Sequence, residues 1–148
     1  LKMGLNDNKM GGVTPTIRQS VRISDCGLIF LSGNNKSVEL KEATATLDEL
    51  APTPVLDFTD DQLLPWEEDI LKQFVAEQSV HQAVVIGDML EPRYVLLSLH
   101  LLEAGFHVFC IDTELQQESP ERFTNLQRLT QAGVTPLTLQ QFHVEVLI

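Results

Sequence analysis

Hydrophobic residues along the chain occur in short continuous runs, and these runs alternate with segments in which apolar residues recur at helical spacing. A continuous apolar run bounded by turn residues is typical of a strand that is buried on both faces of a sheet. Such runs predict strands at residues 26–31, 83–87 and 106–112, and two segments that polar residues interrupt, 55–58 and 142–148, are predicted as further strands.

Helices are predicted between these strands from apolar periodicity and from residues that favour helix ends. Ser119 suits an N-cap and Pro120 the first helical position, whereas Gly105 and Gly133 suit left-handed caps at helix C-termini. Ser37 is a further N-cap candidate. The predicted helices cover residues 37–50, 66–78, 92–104 and 119–133.

The alternation of strands and helices indicates a fold class. Strands joined by helices of this length favour right-handed βαβ crossovers and a parallel sheet covered on both faces. We therefore predict an α/β fold: a three-layer α/β/α domain of the Rossmann-type, doubly wound kind with a mostly parallel sheet. In such sheets, ligands bind beyond the carboxyl ends of the strands. The loops expected there are residues 32–35, 59–65, 88–93 and 113–118.

Length and composition agree with one globular domain. The chain has 148 residues, of which 43% are apolar, and this is enough to build a hydrophobic core. Residues 1–20 are polar, include three glycines and show no period. We therefore expect a flexible N-terminal arm over residues 1–20 and a single domain over residues 21–148.

The net charge and the cysteines limit the partners and the compartment. The formal net charge is −11, and an acidic surface repels phosphate backbones, so nucleic acid is not an expected partner. No apolar run approaches the ~20 residues that span a bilayer, and the first residues lack the apolar core of a signal peptide. Cys26 and Cys110 lie in strand-like runs and are expected to be reduced core residues of a cytoplasmic protein without membrane contact.

Neither a metal site nor a cofactor-binding motif stands out. The four histidines are scattered, without a pair at i, i+4, and the chain has no glycine-rich phosphate loop. Asp57, Asp60 and Asp61 offer oxygen ligands for a divalent cation, but a solvated turn is the simpler interpretation. We expect no metal and no cofactor.

One stretch of the C-terminal half combines several short motifs at a particular spacing. It covers residues 83–139, a little over a third of the chain. The motifs are Val84-Val85-Ile86-Gly87, the helix at 95–105, the strand at 106–112, Glu118-Ser119-Pro120-Glu121-Arg122 and Ala132-Gly133-Val134. In this order they resemble the isochorismatase-like cysteine hydrolases, a family that includes nicotinamidases. The resemblance implies the three-layer fold and a cysteine nucleophile at the N-terminus of the helix that follows the glycine-ended strand.

The resemblance also implies three catalytic positions, and none of them holds the family's residue. The cysteine's position lies six residues after Gly87 and twelve before Gly105, and Arg93 occupies it. A guanidinium stays protonated and cannot accept an acyl group. The general-base aspartate's position is Ser32. The lysine's position is near Asp60, and no lysine occurs between Lys41 and Lys72. The resemblance thus implies a divergent member without the triad.

These substitutions leave three hypotheses open. The first is a pseudoenzyme that lacks cysteine-hydrolase catalysis and acts as a binding or assembly subunit. The second is an active hydrolase of a small amide or ester that uses other residues of the same cleft, for example Asp60 or Asp57 as a base and Arg93 to polarise a carbonyl. The third is a plain flavodoxin-like doubly wound domain, which the order of strands in the sheet should distinguish.

Arg93 and the helix around it carry two further expectations. Near a helix N-terminus, Arg93 is expected either to pair with an acid, which could be Glu91, Asp60 or Asp88, or to bind a small anionic ligand. Asp60 and Ser32 are the other residues expected at such a ligand site. Apolar residues surround most of the helix between residues 94 and 102, which is more than one sheet contact needs. We therefore expect a homo-oligomer, most simply a symmetric dimer.

Overall fold

The computed structural model describes residues 20–22, 25–31, 54–58, 60, 62–77, 79–114 and 118–146. The predicted helix at 37–50, Ser32 and residues 1–19 of the expected N-terminal arm lie outside the described residues. Within these ranges the chain forms five strands, four α-helices and one short 3-10 helix. None of the helices in the described ranges is long and apolar enough to cross a membrane.

The described strands form one sheet that is parallel throughout. They are β1 (Cys26–Leu31), β2 (Val55–Phe58), β3 (Gln82–Gly87), β4 (His107–Asp112) and β5 (Thr135–Leu137). Their order across the sheet is β2-β1-β3-β4-β5. The first four begin within one residue of the predicted positions, and the predicted fold class, α/β with a parallel sheet, is confirmed.

The continuous apolar runs reflect a sheet that is covered on both faces. Successive side chains of a strand point to opposite faces. Val85 and Cys110 belong to one layer of the core, whereas their chain neighbours Val84 and Phe109 belong to the other. All four are buried. Because neither face meets water, no polar alternation is needed in these strands.

The described helices cover the sheet and follow the predicted pattern between residues 65 and 133. They are a 3-10 helix (Pro65–Glu67), α1 (Asp69–Glu77), α2 (Pro92–Glu103), α3 (Pro120–Ala132) and α4 (Leu139–Val146). The Ser119 hydroxyl caps α3 by accepting the N–H of Arg122 at 3.1 Å. Gly133 ends α3 with φ 113°, a left-handed conformation that favours glycine. The caps predicted for this helix are therefore confirmed.

The predicted last strand at residues 142–148 is wrong. Residues Leu139–Val146 form α4, and the last strand among the described residues is β5, at Thr135–Leu137. The Thr138 hydroxyl accepts the N–H of Gln141 at 3.0 Å, and the Gln141 side chain accepts the N–H of Thr138 at 2.9 Å. This reciprocal capping box starts a helix, and Phe142 is then completely buried. The alternating residues after it belong to a short amphipathic helix.

The strand order shows where a ligand crevice lies. From β1 the chain moves outwards to β2 and then crosses to β3 on the other side of β1. In doubly wound sheets, ligands bind at this reversal, outside the carboxyl ends of the strands. Flavodoxin-like proteins share the same order, so strand order alone does not separate the flavodoxin-like hypothesis from the isochorismatase-like one.

Candidate functional site

Charged residues gather after the carboxyl ends of three strands. Asp60 follows β2, Asp88 follows β3, and Asp112 is the last residue of β4. Arg93 and Arg122 lie in the first turns of α2 and α3, the helices that follow β3 and β4. Both arginine side chains are only 7% exposed. This edge is the candidate site, because ligands of parallel sheets bind there.

The Arg93 guanidinium reaches across the crevice to the loop after β2. Its Nη1 donates to the carbonyl oxygens of Asp60 and Leu63, both at 2.8 Å. Arg93 follows β3 and its acceptors follow β2, so these bonds join the loops after the two strands that flank β1, next to the reversal point. The Glu91 carboxylate adds a longer ion pair, with Oε1 3.5 Å from Nε.

One edge of the same guanidinium finds no hydrogen-bond acceptor in the described part of the chain. Nε and Nη2 of Arg93 are buried, and neither has a hydrogen-bond partner among the described residues. Buried polar groups are nearly always hydrogen-bonded, so each exception needs a physical explanation. A guanidinium carries a positive charge, which makes its unsatisfied edge more costly than that of a neutral group.

The predicted ligand-binding set comes together only in part. Arg93 meets Asp60 through the main-chain carbonyl of Asp60, not through its carboxylate. The Asp60 side chain is exposed and accepts the N–H of Gln62 at 2.9 Å, so it stabilises its own turn. Asp57 points to the exposed side of β2. Ser32, the third member of the set, lies outside the described residues.

A second arginine at this edge was not predicted as a site residue. Arg122 Nη1 donates to Asp112 Oδ2, and Arg122 Nη2 donates to Asp88 Oδ1 at 3.2 Å. Burial alone would lower the pKa of Arg122, but the hydrogen bond and charge of Asp112, together with Asp88, raise it. The sequence held one signal: Asp112 directly follows the apolar run Val108-Phe109-Cys110-Ile111, and a buried acid must be paired.

This ion pair holds the loop that leads into α2. Asp112 Oδ1 accepts the N–H of Met89 at 3.2 Å and the N–H of Glu114 at 3.0 Å. From α3, the Asn125 side chain donates to the carbonyl of Met89 at 3.0 Å. The Asp88 carboxylate accepts the N–H of Leu90 at 3.0 Å. The first turn of α2, with Arg93, is therefore positioned from β4 and α3.

Both cysteines of the chain are buried and free, and each lies within a strand, Cys26 in β1 and Cys110 in β4. Burial raises the pKa of the Cys26 thiol to about 11, and the nearby Asp25 carboxylate acts in the same direction. Burial also raises the pKa of Cys110 to about 11, although a hydrogen bond with Tyr94 opposes the shift. At pH 7 a thiol with such a pKa is ionised in about one molecule in ten thousand.

The described residues include no group of three or more His, Cys, Asp or Glu side chains placed to hold a metal ion. Asp61, one of the three acids considered for a cation, lies outside the described residues. His81 instead pairs with Asp25 at the opposite, amino edge of the sheet, where its Nδ1 lies 2.9 Å from Asp25 Oδ1. The arrangement at the carboxyl edge is thus built from arginines, carboxylates and main-chain carbonyls.

Comparison with known proteins identifies the fold but no sequence relative. No family model matches the chain, and no curated protein matches it significantly. One similar structure is that of the YcaC gene product of Escherichia coli, described as an octameric hydrolase of unknown specificity. The two structures superpose with a TM-score of 0.64 and 13% sequence identity, over 86% of this chain and 82% of the YcaC chain. A second similar structure is that of YcaC from Pseudomonas aeruginosa with hexane-2,5-diol and covalent acrylamide. Its TM-score is 0.61 at 13% sequence identity, over 86% of this chain and 83% of the YcaC chain. The chain therefore has the isochorismatase-like α/β fold of these two proteins.

Proposed function

We propose that the chain is a divergent isochorismatase-like protein that lacks cysteine-hydrolase catalysis and acts as a binding or assembly subunit. One observation carries this proposal. Arg93 occupies the first turn of α2, where the resemblance expects the nucleophile, and its side chain is buried there and bonded to two carbonyls. The chain has no cysteine between Cys26 and Cys110 that could serve instead.

The chemistry of a thiol hydrolase supports the same conclusion. Such an enzyme needs an ionised thiol beside N–H groups that hold an oxyanion, and a helix N-terminus supplies both conditions. Here the two thiols lie within β1 and β4, and burial raises the pKa of each to about 11. Neither thiol can move to the N-terminus of α2 without breaking the sheet. Binding at the carboxyl edge does not depend on either.

The active-hydrolase alternative has weaker support in the geometry. It requires Arg93 to polarise a substrate carbonyl and Asp60 or Asp57 to remove a proton. Nη1 of Arg93 is already bonded to the carbonyls of Asp60 and Leu63. The Asp60 carboxylate accepts a main-chain N–H of its own turn, and Asp57 lies on the exposed side of β2.

An assembly role is supported by the outer face of α2. Leu96 is 47% exposed and lines a groove of about 580 Å³ with the half-buried Leu99 and Leu102 and with Ala132 of α3; His100 and Glu103 are the polar residues of its lining. Contiguous exposed apolar surface is typical of protein interfaces. The E. coli YcaC protein is octameric.

We propose a cytoplasmic homo-oligomer that uses this face of α2. In analytical ultracentrifugation, the Leu96→Lys variant should sediment with a lower mass than the wild-type chain. A wild-type chain that sediments as a monomer of 16.6 kDa at micromolar concentration would contradict assembly.

Turnover measurements with small amides and esters test the absence of catalysis. We expect no hydrolysis above background by the wild-type chain, before or after treatment with iodoacetamide or acrylamide, and no adduct in the intact mass of the folded protein. The double variant Cys26→Ala, Cys110→Ala is the matched control and should behave identically. Hydrolysis that disappears on alkylation and is absent from this variant would overturn the proposal.

A further inference from the structure

The free edge of Arg93 has the geometry of a carboxylate-binding group. Nη1 is occupied by two carbonyls, so the available donors are Nε and Nη2, which point along one side of the guanidinium. A carboxylate binds arginine through two parallel hydrogen bonds, and one such arrangement uses this pair of donors. The side chain is 7% exposed, which makes a charged hydrogen bond stronger than it would be in water.

The Glu91 carboxylate lies on the side of the guanidinium where a bound carboxylate would lie, but it makes no hydrogen bond to Arg93. Its Oε1 is 3.5 Å from Nε, and no hydrogen bond forms. Glu91 is the N-cap residue of α2, yet its side chain makes no capping hydrogen bond, and it is 24% exposed. The Glu91 side chain can therefore rotate away from Arg93 without losing a hydrogen bond.

We propose that Nε and Nη2 of Arg93 form a subsite for the carboxylate group of a small ligand, and that the Glu91 carboxylate is the internal group which this ligand displaces. The subsite lies at the N-terminal turn of α2, whose dipole favours an anion, and beside the reversal point of the sheet. The inference rests on the proposed function, because it assigns a role to the residue at the nucleophile's position.

The negative charge of the chain should make anion binding at this subsite weak, and it should favour anions of low charge over anions of higher charge. With a net charge of −11, the surface repels anions at long range, so attraction must come from the two buried donors. A planar carboxylate matches the paired donors and carries one charge. A phosphate matches them too but meets more repulsion. We therefore expect acetate to bind better than inorganic phosphate.

Trp66 provides a signal for the test. It is the only tryptophan of the chain and lies in the 3-10 helix that begins two residues after Leu63, whose carbonyl holds Arg93. Acetate and inorganic phosphate are titrated separately into the full chain, with chloride replacing them at constant ionic strength. Trp66 fluorescence is followed, and two-dimensional amide NMR locates the affected residues. We expect saturable acetate binding, with shifts centred on the first turn of α2.

Two variants of the subsite and one control decide the assignment. Glu91→Gln removes the competing carboxylate while keeping its shape and should strengthen acetate binding roughly fivefold, the effect of one partly exposed ion pair. Arg93→Gln should abolish binding. If that variant does not fold, Arg93→Lys decides, since a lysine keeps the charge but loses the paired donors and should weaken binding about tenfold. Arg128→Gln, an exposed arginine of α3, should leave binding unchanged.

Three results would overturn the inference: acetate binding that does not saturate, equal binding by wild type and the Arg93 variant, or a Glu91→Gln chain that binds acetate no better. Stronger binding of phosphate would overturn the choice of a carboxylate. None of these results touches the absence of thiol catalysis, which is measured by turnover and alkylation. Conversely, thiol-dependent turnover would refute the proposed function whatever acetate does.

Discussion

Arg93 and Arg122 are both arginines at similar positions of two consecutive strand–helix units, but they have different hydrogen-bond partners. Each lies in the first turn of a helix at the carboxyl edge of the sheet, and each side chain is 7% exposed. Arg122 donates to the carboxylates of Asp112 and Asp88. Arg93 donates to two main-chain carbonyls, and among the described residues its carboxylate neighbour is Glu91, whose Oε1 lies 3.5 Å from Nε.

The difference separates a structural ion pair from a candidate binding group. The charge of Arg122 is compensated by two acids, and these bonds also fix the loop before α2. The charge of Arg93 is compensated incompletely, and two of its nitrogen atoms have no acceptor among the described residues. Natural sequences depart from full polar satisfaction mainly at functional sites. The comparison therefore directs attention to Arg93 rather than to the better-bonded Arg122.

Removing Arg122 should have the largest effect on stability. Arg122→Ala leaves Asp112 unpaired, and that side chain is only 2% exposed. Breaking a buried pair from one side costs about 3–5 kcal/mol. Urea unfolding followed by circular dichroism measures the loss, with Arg128→Ala on the exposed face of α3 as control. A loss below about 1 kcal/mol would show that Arg122 is not the structural partner that the geometry indicates.

Removing Arg93 should lower the free energy of unfolding by less than removing Arg122 does. Arg93→Ala loses two charged hydrogen bonds to carbonyls, but it leaves no buried carboxylate behind, because Glu91 is partly exposed. We expect a loss of about 1–3 kcal/mol in the same urea experiment. A loss equal to that of Arg122→Ala would mean that both arginines are structural, and the contrast between them would disappear.

Removing the charge of Asp88, the more exposed of the two acids that pair with Arg122, should have the smallest effect on the free energy of unfolding. The Asp88 side chain is 36% exposed, so water and salt weaken its attraction to Arg122. Asp88→Asn keeps an acceptor for the N–H of Leu90 and removes only the charge. It should destabilise by about 0.5 kcal/mol at low salt and by less in 1 M NaCl. A larger, salt-independent loss would place Asp88 with Asp112 in the buried part of the pair.

The sequence predicts those parts of the fold whose signals are local. The apolar runs of β1 to β4 and the caps Ser119 and Gly133 each depend on neighbouring residues, and the structure confirms them. The end of the chain was assigned wrongly because alternating residues after Phe142 outweighed the capping box of Thr138 and Gln141. Helix and strand are hard to separate over so short a segment.

The candidate site depends on contacts between residues distant in the chain. Spacing alone leads to Arg93 and to the missing cysteine, because a strand, a glycine and a helix fix that position from both sides. Spacing cannot show that Asp60 offers its carbonyl instead of its carboxylate, or that Arg122 turns to Asp112. Those details depend on how two loops and two helices meet at one edge of the sheet.

A cysteine at position 93 tests the central claim, that Arg93 occupies a nucleophile's position, most directly. The alkylation rate of the Arg93→Cys variant is measured against pH with iodoacetamide, and mass spectrometry locates the adduct. We predict one adduct per folded chain, at residue 93, with an apparent pKa below the ordinary ~8.5 because the helix N-terminus stabilises the thiolate. Cys26 and Cys110, whose pKa burial raises to about 11, should stay unmodified. An apparent pKa at residue 93 above 9, or faster alkylation of Cys26 or Cys110, would contradict the account.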